Sequence, residues 1–152
     1  MVCKICPFLT NHPKNITESK YWHVDICDNQ EYLGRSFVTL KRHCPNLSEL
    51  TSDEWLDLAD LIKKLETTFK KAFNATAFNW TCLMNDAFKE KTYSPHVHWH
   101  VRPRYEKAVV FAGITFQDPE FGHHYARSTD RIQVIPEEKL MEIIEKIKLS
   151  LI

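Results

Sequence analysis

The chain of 152 residues has only three glycines, Gly34, Gly113 and Gly122, and they lie far apart. Phosphate-binding loops of the P-loop and dinucleotide types need several glycines within a few residues, because the backbone must approach the phosphate closely. The sequence therefore excludes both kinds of loop. Any phosphate chemistry in this protein must use side chains or helix ends.

Net charge and long apolar runs are also missing. Twenty basic and twenty acidic residues cancel, which argues against the strongly basic surface of a nucleic-acid-binding protein. No segment approaches the ~20 apolar residues that a membrane helix needs, and the start of the sequence lacks the basic and apolar regions of a signal peptide. We expect a cytoplasmic protein without a membrane span or a nucleic-acid partner.

Five cysteines are present, at positions 3, 6, 27, 44 and 82. Their odd number and irregular spacing favour reduced thiols over a disulfide framework. Cys3-x-x-Cys6 has the spacing of half a zinc site. The alternative for this pair is two small buried thiols near a flexible terminus.

The hydrophobic pattern predicts one α+β domain. Thr51 and Glu54 form a capping-box signature at the start of a long helix, and Pro136 suits the first turn of a C-terminal helix. Pro103 is expected to end a strand, because proline donates no ladder hydrogen bond. We expect an antiparallel sheet of about five strands, with candidate strands at 21–26, 37–40, 78–83, 96 to about 101, and 109–111.

Histidine occupies every second position of the segment His96-Val97-His98-Trp99-His100. Successive side chains of a strand point to opposite faces, so the three histidines share one face. Histidine titrates near neutral pH and can act as nucleophile, acid or base. The row therefore predicts a functional face.

Three interpretations of this row compete. A solvated edge strand explains the alternation but not the choice of histidine at every polar position. A single zinc ion with bonds of ~2.0–2.1 Å does not reach both His96 and His100, which lie ~13 Å apart in a straight strand, although two neighbours can share an ion. The third interpretation is a row that grips a phosphate chain while one imidazole attacks phosphorus.

The segment SPHVHWHVRPR, from Ser94 to Arg104, resembles the signature of the histidine-triad (HIT) family: three histidines alternate with apolar residues and an Arg-Pro-Arg-like tail follows. The resemblance continues in Lys41-Arg42-His43, in the helix start Leu50 to Glu54, and in Cys3-x-x-Cys6. It implies a HIT-like fold with a core at 1–105. Residues 106–152 would form an extension, with a final helix packed on the same domain or on a dimer partner.

The resemblance also implies a mechanism. In HIT enzymes the middle histidine attacks the α-phosphorus of a nucleotide and forms a nucleotidyl-histidine, from which water releases the nucleoside monophosphate. That role falls to His98. His100 would contact the phosphate and assist the leaving group, and His96 would orient the nucleophile. Related transferases have glutamine in place of the third histidine, so His100 favours hydrolysis.

Further nucleotide contacts are implied at Asn85, for the amide that binds nucleotide or phosphate, and at Asp28, with Asn29 second, for the ribose. His43 and Thr92 complete the implied set. The family's usual Gly-Gln-Ser/Thr segment is absent, and the stretch around Thr92 stands in its place. This departure leaves the leaving group of the substrate open.

By the same resemblance, some family members bind a structural zinc with four ligands, which here would be Cys3, Cys6, His43 and His96. Such a site would fix the N-terminus against the histidine strand. The family habit also implies a homodimer.

We therefore expect a hydrolase that releases a nucleoside monophosphate from a phosphoramidate or a dinucleoside polyphosphate. Removal of adenylate from nucleic-acid ends is an alternative, but the zero net charge of the chain argues against it. A nucleotide-binding regulator or scaffold with the same fold is another alternative, and the presence of His98 argues against that one.

Overall fold

A computed structural model describes residues 3–9, 12–89, 94–125 and 132–151. Its centre is an antiparallel sheet in the order β1-β2-β3-β5-β4, and β6 and β7 form a separate hairpin. The predicted α+β fold, with a five-stranded antiparallel sheet, one long helix and a C-terminal helix, is confirmed. The elements are β1 (Asn15–Glu18), β2 (Trp22–Ile26), β3 (Ser36–Leu40), α1 (Ser52–Phe73), β4 (Ala77–Thr81), β5 (His98–Arg104), β6 (Val109–Phe111), β7 (Ile114–Phe116) and α2 (Glu137–Ser150).

The membership of the sheet differs in part from the prediction. The edge strand β1 was not predicted, because it is four residues long and buries only Ile16. The predicted strand 109–111 exists, but it pairs with β7 outside the five-stranded sheet. The strand predicted at 78–83 is β4, which is half-buried rather than buried because it lies at the other edge.

The expectation that Pro103 ends the histidine strand is wrong. Strand β5 continues to Arg104, and Pro103 pairs with Phe78 of β4. On the opposite side of β5 the last pair with β3 joins Val101 to Ser36. Pro103 therefore lies where β5 has a neighbour on one side only, and a proline is tolerated where no ladder hydrogen bond is required of it.

Helix α1 covers one face of the sheet and creates the core. Side chains that alternate along β2, β3 and β5 point toward the helix, and the residues between them face the opposite, open side. Burying this apolar area is the main stabilising contribution to the fold. The buried contacts are Trp22, Val24, Ile26, Val38, Leu40 and Val101 from the strands, Val97 directly before β5, and Leu58, Leu61, Leu65, Phe69 and Phe73 from α1.

The extension beyond β5 packs on the same chain. Arg104 is buried and donates to both carboxylate oxygens of Asp118, at 2.5 and 3.0 Å. It also donates to Asn79 of β4 and to the backbone carbonyls of Glu120 and His123. Helix α2 packs on α1 and β1. No described helix is long and apolar enough to cross a membrane.

The start of α1 confirms the predicted capping box. Thr51 Oγ1 accepts a hydrogen bond from Glu54 N, and Glu54 Oε2 accepts one from Thr51 N at 2.8 Å. The Glu54 side chain also binds Arg42 through both carboxylate oxygens, at 2.5 and 2.9 Å. The Arg42 guanidinium, followed by the backbone of Thr51, lowers the pKa of Glu54 to about 2.

Glu54→Gln should therefore destabilise the protein in a pH-dependent way. The pKa of Glu54 is lower in the folded state than its ordinary 4.5. Its stabilising contribution is fully present above pH 4.5 and is lost as the pH falls through 2. At pH 7 the variant should lose roughly 2 kcal/mol of unfolding free energy. Urea unfolding between pH 7 and pH 2 measures this, with the exposed Glu145→Gln as control; a constant difference between wild type and Glu54→Gln would contradict it.

Candidate active site

The open face of the sheet carries the histidine row. His98 pairs with Thr39 of β3, and His100 pairs with Phe37. The Phe37 ring lies 5.0 Å from the His100 ring, and the His98 and His100 rings are also 5.0 Å apart between centroids. The two histidines thus lie side by side on the open face of the sheet, next to Thr39 and Phe37 of β3.

The hydrogen bonds of His98 fix its tautomer. His98 Nδ1 lies 2.8 Å from the backbone carbonyl oxygen of His96. A carbonyl oxygen only accepts, so Nδ1 carries the proton and donates it. Nε2 then has a free lone pair. This is the state in which an imidazole acts as a nucleophile.

The ring of His96 points away from this nucleophile. Its Nε2 lies 2.7 Å from the carbonyl oxygen of Leu40, so Nε2 is the protonated nitrogen and Nδ1 is left as an acceptor. That Nδ1 faces Cys3 Sγ at 3.3 Å and Cys6 Sγ at 3.4 Å. His96 therefore contacts His98 through its backbone carbonyl oxygen and the two cysteines through Nδ1 of its ring.

Four side chains converge at this point: Cys3, Cys6, His43 and His96. Their ligand atoms all lie within 4.8 Å of one another, and Cys6 Sγ is 3.6 Å from His43 Nδ1. Tetrahedral zinc with Zn–S of ~2.3 Å and Zn–N of ~2.0–2.1 Å places sulfur and nitrogen ligands ~3.6 Å apart. Burial and the neighbouring Cys3 thiol raise the pKa of Cys6 to about 11. The spacing and the donor set both fit a zinc ion. A bound zinc ion would favour the thiolate form of Cys3 and Cys6.

His100 is uncharged at neutral pH. Burial, with smaller contributions from the charges of His98 and Arg102, lowers its pKa to about 4. His100 Nδ1 is buried and has no hydrogen-bond partner among the described residues. Arg102 follows on the same face and is itself buried, with its guanidinium 4.2 Å from the Tyr125 ring. The Leu83 backbone also hydrogen-bonds to His100, which partly offsets the fall in its pKa.

Two clefts meet at His98. The first, named here the apolar cleft, has a volume of about 500 Å³ and runs from His98 across β3 and β2 to the N-terminal segment. The second, the polar cleft, has about 350 Å³ and lies on the other side of His98. The walls of the apolar cleft include Ile5, Phe8, Leu9, Ile26, Phe37 and Val134. Those of the polar cleft include the polar residues Lys4, Asp86, Lys89, Ser94, His96 and His100, together with the apolar residues Ile5, Leu83, Met84 and Ala87.

The other predicted nucleotide contacts are dispersed. Asp28 lines the apolar cleft and forms an ion pair with Lys14. Asn29 also lines it, but its side-chain oxygen accepts hydrogen bonds from the backbone of Glu31 and Gln133. Asn85 is exposed, and only its neighbours line the polar cleft.

The last two predicted contacts are His43 and Thr92. His43 belongs to the cysteine cluster and its Nε2 lies 2.9 Å from Ser94 Oγ. Thr92 falls outside the described residues.

Sequence analysis missed Asp25 and His12, which line the apolar cleft. Asp25 alternates with the buried residues of β2, so a correct pairing of β2 with β3 would have placed it on the same face as the histidine row. Nothing in the local sequence around His12 indicates that it lies near Asp25.

Known proteins support this reading of the fold. The HIT domain family model matches residues 32–107, half of the 152-residue chain. A bis(5'-nucleosyl)-tetraphosphatase (asymmetrical) of Schizosaccharomyces pombe is 34% identical over 71 residues, which make up 47% of this chain and 38% of that relative. The matched segment thus accounts for well under half of the relative's length.

Two solved structures share the fold. A hypothetical histidine triad nucleotide-binding protein of Sulfolobus tokodaii has a TM-score of 0.70 and 18% identity, covering 97% of this chain and 91% of that one. A zinc-bound histidine triad family protein of Mycobacterium smegmatis has a TM-score of 0.61 and 18% identity, covering 98% and 95%. At these identities the likeness shows the fold alone.

Proposed function

The chain belongs to the HIT family, and from that premise we propose that it hydrolyses a nucleotide derivative at the α-phosphorus through a covalent nucleotidyl-His98 intermediate. The hydrogen bond from His98 Nδ1 to the His96 carbonyl carries this proposal, because it leaves Nε2 unprotonated at the junction of two clefts. The distant relationship to a dinucleoside tetraphosphatase supports a nucleotide hydrolase in general.

In the first step the His98 Nε2 lone pair attacks the α-phosphorus. A P–N bond forms, and the bond from phosphorus to the leaving group breaks with its electron pair on the leaving atom. That atom takes up a proton. The charge that develops on the ring is stabilised by the hydrogen bond from Nδ1 to the His96 carbonyl.

His100 is the proton source for the leaving group in this proposal. Its pKa of about 4 keeps it neutral in the free protein. A bound phosphate would raise that pKa, since a nearby negative charge favours the imidazolium. His100 would then hold a proton where the leaving group departs. In the second step water attacks phosphorus and gives its proton to the now neutral His100, the P–N bond breaks with its electron pair on His98, and a nucleoside monophosphate leaves.

The two clefts suit the two parts of such a substrate. The apolar cleft has aromatic and aliphatic walls that fit a nucleoside, and Asp28 at its edge remains the proposed ribose contact. The polar cleft, with its lysines and His100, fits a charged or strongly polar leaving group. Contacts from Asn29, Asn85, His43 and Thr92 to the nucleotide stay predictions, as does the homodimer.

We also propose that Cys3, Cys6, His43 and His96 hold a structural zinc ion. The donor set and the spacing of the ligand atoms support this. Four protein ligands leave no open position, so the ion would supply folding energy rather than Lewis-acid chemistry. It would fix the N-terminal segment, which carries Ile5 of both clefts, next to the strand that bears His98.

A substrate panel in ¹⁸O-water tests the reaction. Nucleoside phosphoramidates, dinucleoside tetraphosphates and adenylyl-lysine should be compared, for both adenosine and guanosine where available. The proposal expects release of a nucleoside monophosphate carrying one ¹⁸O on phosphorus, because water attacks the α-phosphorus. Label found only in the leaving group, or binding of nucleotides without any turnover, would contradict it; the second result would indicate a regulator or scaffold.

A further inference from the structure

A carboxylate lines the apolar cleft on β2, two strands away from the histidine row. Asp25 is on β2, and its side chain is only 14% exposed. A carboxylate in such surroundings is costly unless its oxygens are hydrogen-bonded or paired. Burial raises the pKa of Asp25 accordingly.

The described surroundings satisfy this carboxylate poorly. His12 Nδ1 lies 3.7 Å from Asp25 Oδ1, which is ion-pair distance when His12 is protonated but beyond hydrogen-bond distance, and that Nδ1 has no hydrogen-bond partner among the described residues. Asn15 Nδ2 reaches the same oxygen at 3.4 Å but also donates to the carbonyls of Thr17 and Val24, both at 3.2 Å. Oδ2 accepts no hydrogen bond from the described part of the chain. The other titratable groups that line the cleft near it are Cys27, Lys14 and Asp28, of which the last two pair with each other. His23 on the same strand also favours the charged form of Asp25.

The sheet places Asp25 at the distance from His98 that the base of a bound nucleotide would reach. Asp25 pairs with Phe37, and Phe37 pairs with His100, two residues along β5 from His98. Two strand spacings of ~4.8 Å and two residues of ~3.3 Å put the Cα atoms of Asp25 and His98 ~12 Å apart. This span matches the distance from an α-phosphorus at His98 to the far edge of a purine.

We propose that Asp25 selects the base and that the preferred substrates are guanosine nucleotides. The inference rests on the proposed function, which puts the α-phosphorus at His98. The Watson–Crick edge of guanine presents two adjacent donors, N1–H and the exocyclic N2 amino group. A carboxylate accepts both in a bidentate, charge-assisted pair. Adenine presents one donor, N6, beside the N1 lone pair, which a carboxylate repels.

The same reasoning predicts a specificity switch in Asp25→Asn. An asparagine amide has one acceptor and one donor side by side. It can accept from adenine N6 and donate to adenine N1, but in the same position against guanine N1–H and the N2 amino group it leaves a donor facing a donor. The variant should therefore lose affinity for guanosine nucleotides and gain affinity for adenosine nucleotides.

Binding of GMP, IMP and AMP to the full-length protein tests the inference independently of turnover. Hydrogen bonds to a charged group are worth ~1.5–3 kcal/mol, so wild type should bind GMP about 10- to 100-fold more tightly than AMP. IMP, which keeps N1–H and lacks the amino group, should lie between them. In Asp25→Asn the ratio of GMP to AMP affinity should fall to about one or below.

Asp28→Asn is the matched control. It changes the other carboxylate of the cleft, which pairs with Lys14 at the edge. Because Asp28 is proposed to contact the ribose, its replacement should lower the affinity for GMP and AMP by the same factor and leave their ratio unchanged. Thermal unfolding of both variants checks that each is folded; the comparison of GMP and AMP on wild type needs no variant.

The outcomes separate this inference from the proposed reaction. Selective binding of GMP without turnover of any substrate would support the base assignment and contradict the hydrolase. Turnover of adenosine and guanosine substrates at equal kcat/KM, with equal binding of GMP and AMP, would overturn the base assignment and leave the hydrolase intact. A GMP preference that survives Asp25→Asn would also overturn it, as would failure of wild type to bind GMP.

Discussion

His98→Ala is expected to lower kcat by about 10⁴- to 10⁶-fold with every substrate that the wild type hydrolyses. The substitution removes the only atom proposed to bond to phosphorus. It leaves in place the floor of Phe37 and Thr39 and the other residues that line the two clefts. Nucleotide affinity should therefore change little while turnover is lost. Steady-state kinetics and GMP binding on the same preparation measure the two effects.

His124→Ala is the matched control for this prediction. His124 is exposed and lines neither cleft. The same substitution there should leave kcat within about twofold of wild type, since isolated surface changes have small effects. If His98→Ala kept a tenth of the wild-type kcat, the nucleophile would have to be another group.

Cys3→Ser is expected to remove about one zinc ion per chain and to lower the unfolding free energy by about 4 kcal/mol or more. Loss of one thiolate breaks a four-ligand set, and zinc binding energy at a structural site is folding energy. Because His96 offers its ring to this site and its carbonyl to His98, the loss should also disturb the nucleophile. Metal analysis by mass spectrometry and chemical unfolding measure the first two effects.

Cys44→Ser controls for the loss of a thiol as such. Cys44 is buried outside the cluster, and its Sγ donates to the Asn46 carbonyl, which a hydroxyl also can do. This variant should retain its zinc. Equal zinc content in wild type and Cys3→Ser, whether both contain the ion or both lack it, would contradict the zinc proposal.

Much of this architecture was predictable because it depends on local patterns. Thr51 and Glu54 indicate the start of α1 since a capping box is made within four residues. The alternation around His98 places His98 and His100 on one face since a strand has a period of two, whereas His96 precedes β5 and turns its ring to the cysteines. The four residues expected to bind zinc converge in the structure.

The parts that were not predictable depend on long-range pairing. Strand β5 continues through Pro103 because only β4 is paired with it there, β3 having no partner beyond Val101. No local sequence pattern shows where the pairing with β3 stops. The His96 ring contacts the cysteines while its carbonyl binds His98. This arrangement depends on the hydrogen bond from the ring to Leu40, 56 positions away in sequence. Asp25 acquires its place in the cleft from the order β2-β3-β5 and from the N-terminal segment that covers it. A sequence pattern predicts on which face of its strand a residue lies, but not which residues of different strands line the same cleft.

Trapping the covalent intermediate is the most direct measurement of the proposed chemistry. Wild type is mixed with excess substrate and quenched in alkali within milliseconds, because a phosphoramidate of histidine is labile to acid. The peptides are then analysed by mass spectrometry. We expect the mass of one nucleoside monophosphate to be added on His98, and no adduct in His98→Ala. An adduct on a different residue, or full turnover without an adduct at any time, would contradict a nucleotidyl-His98 mechanism.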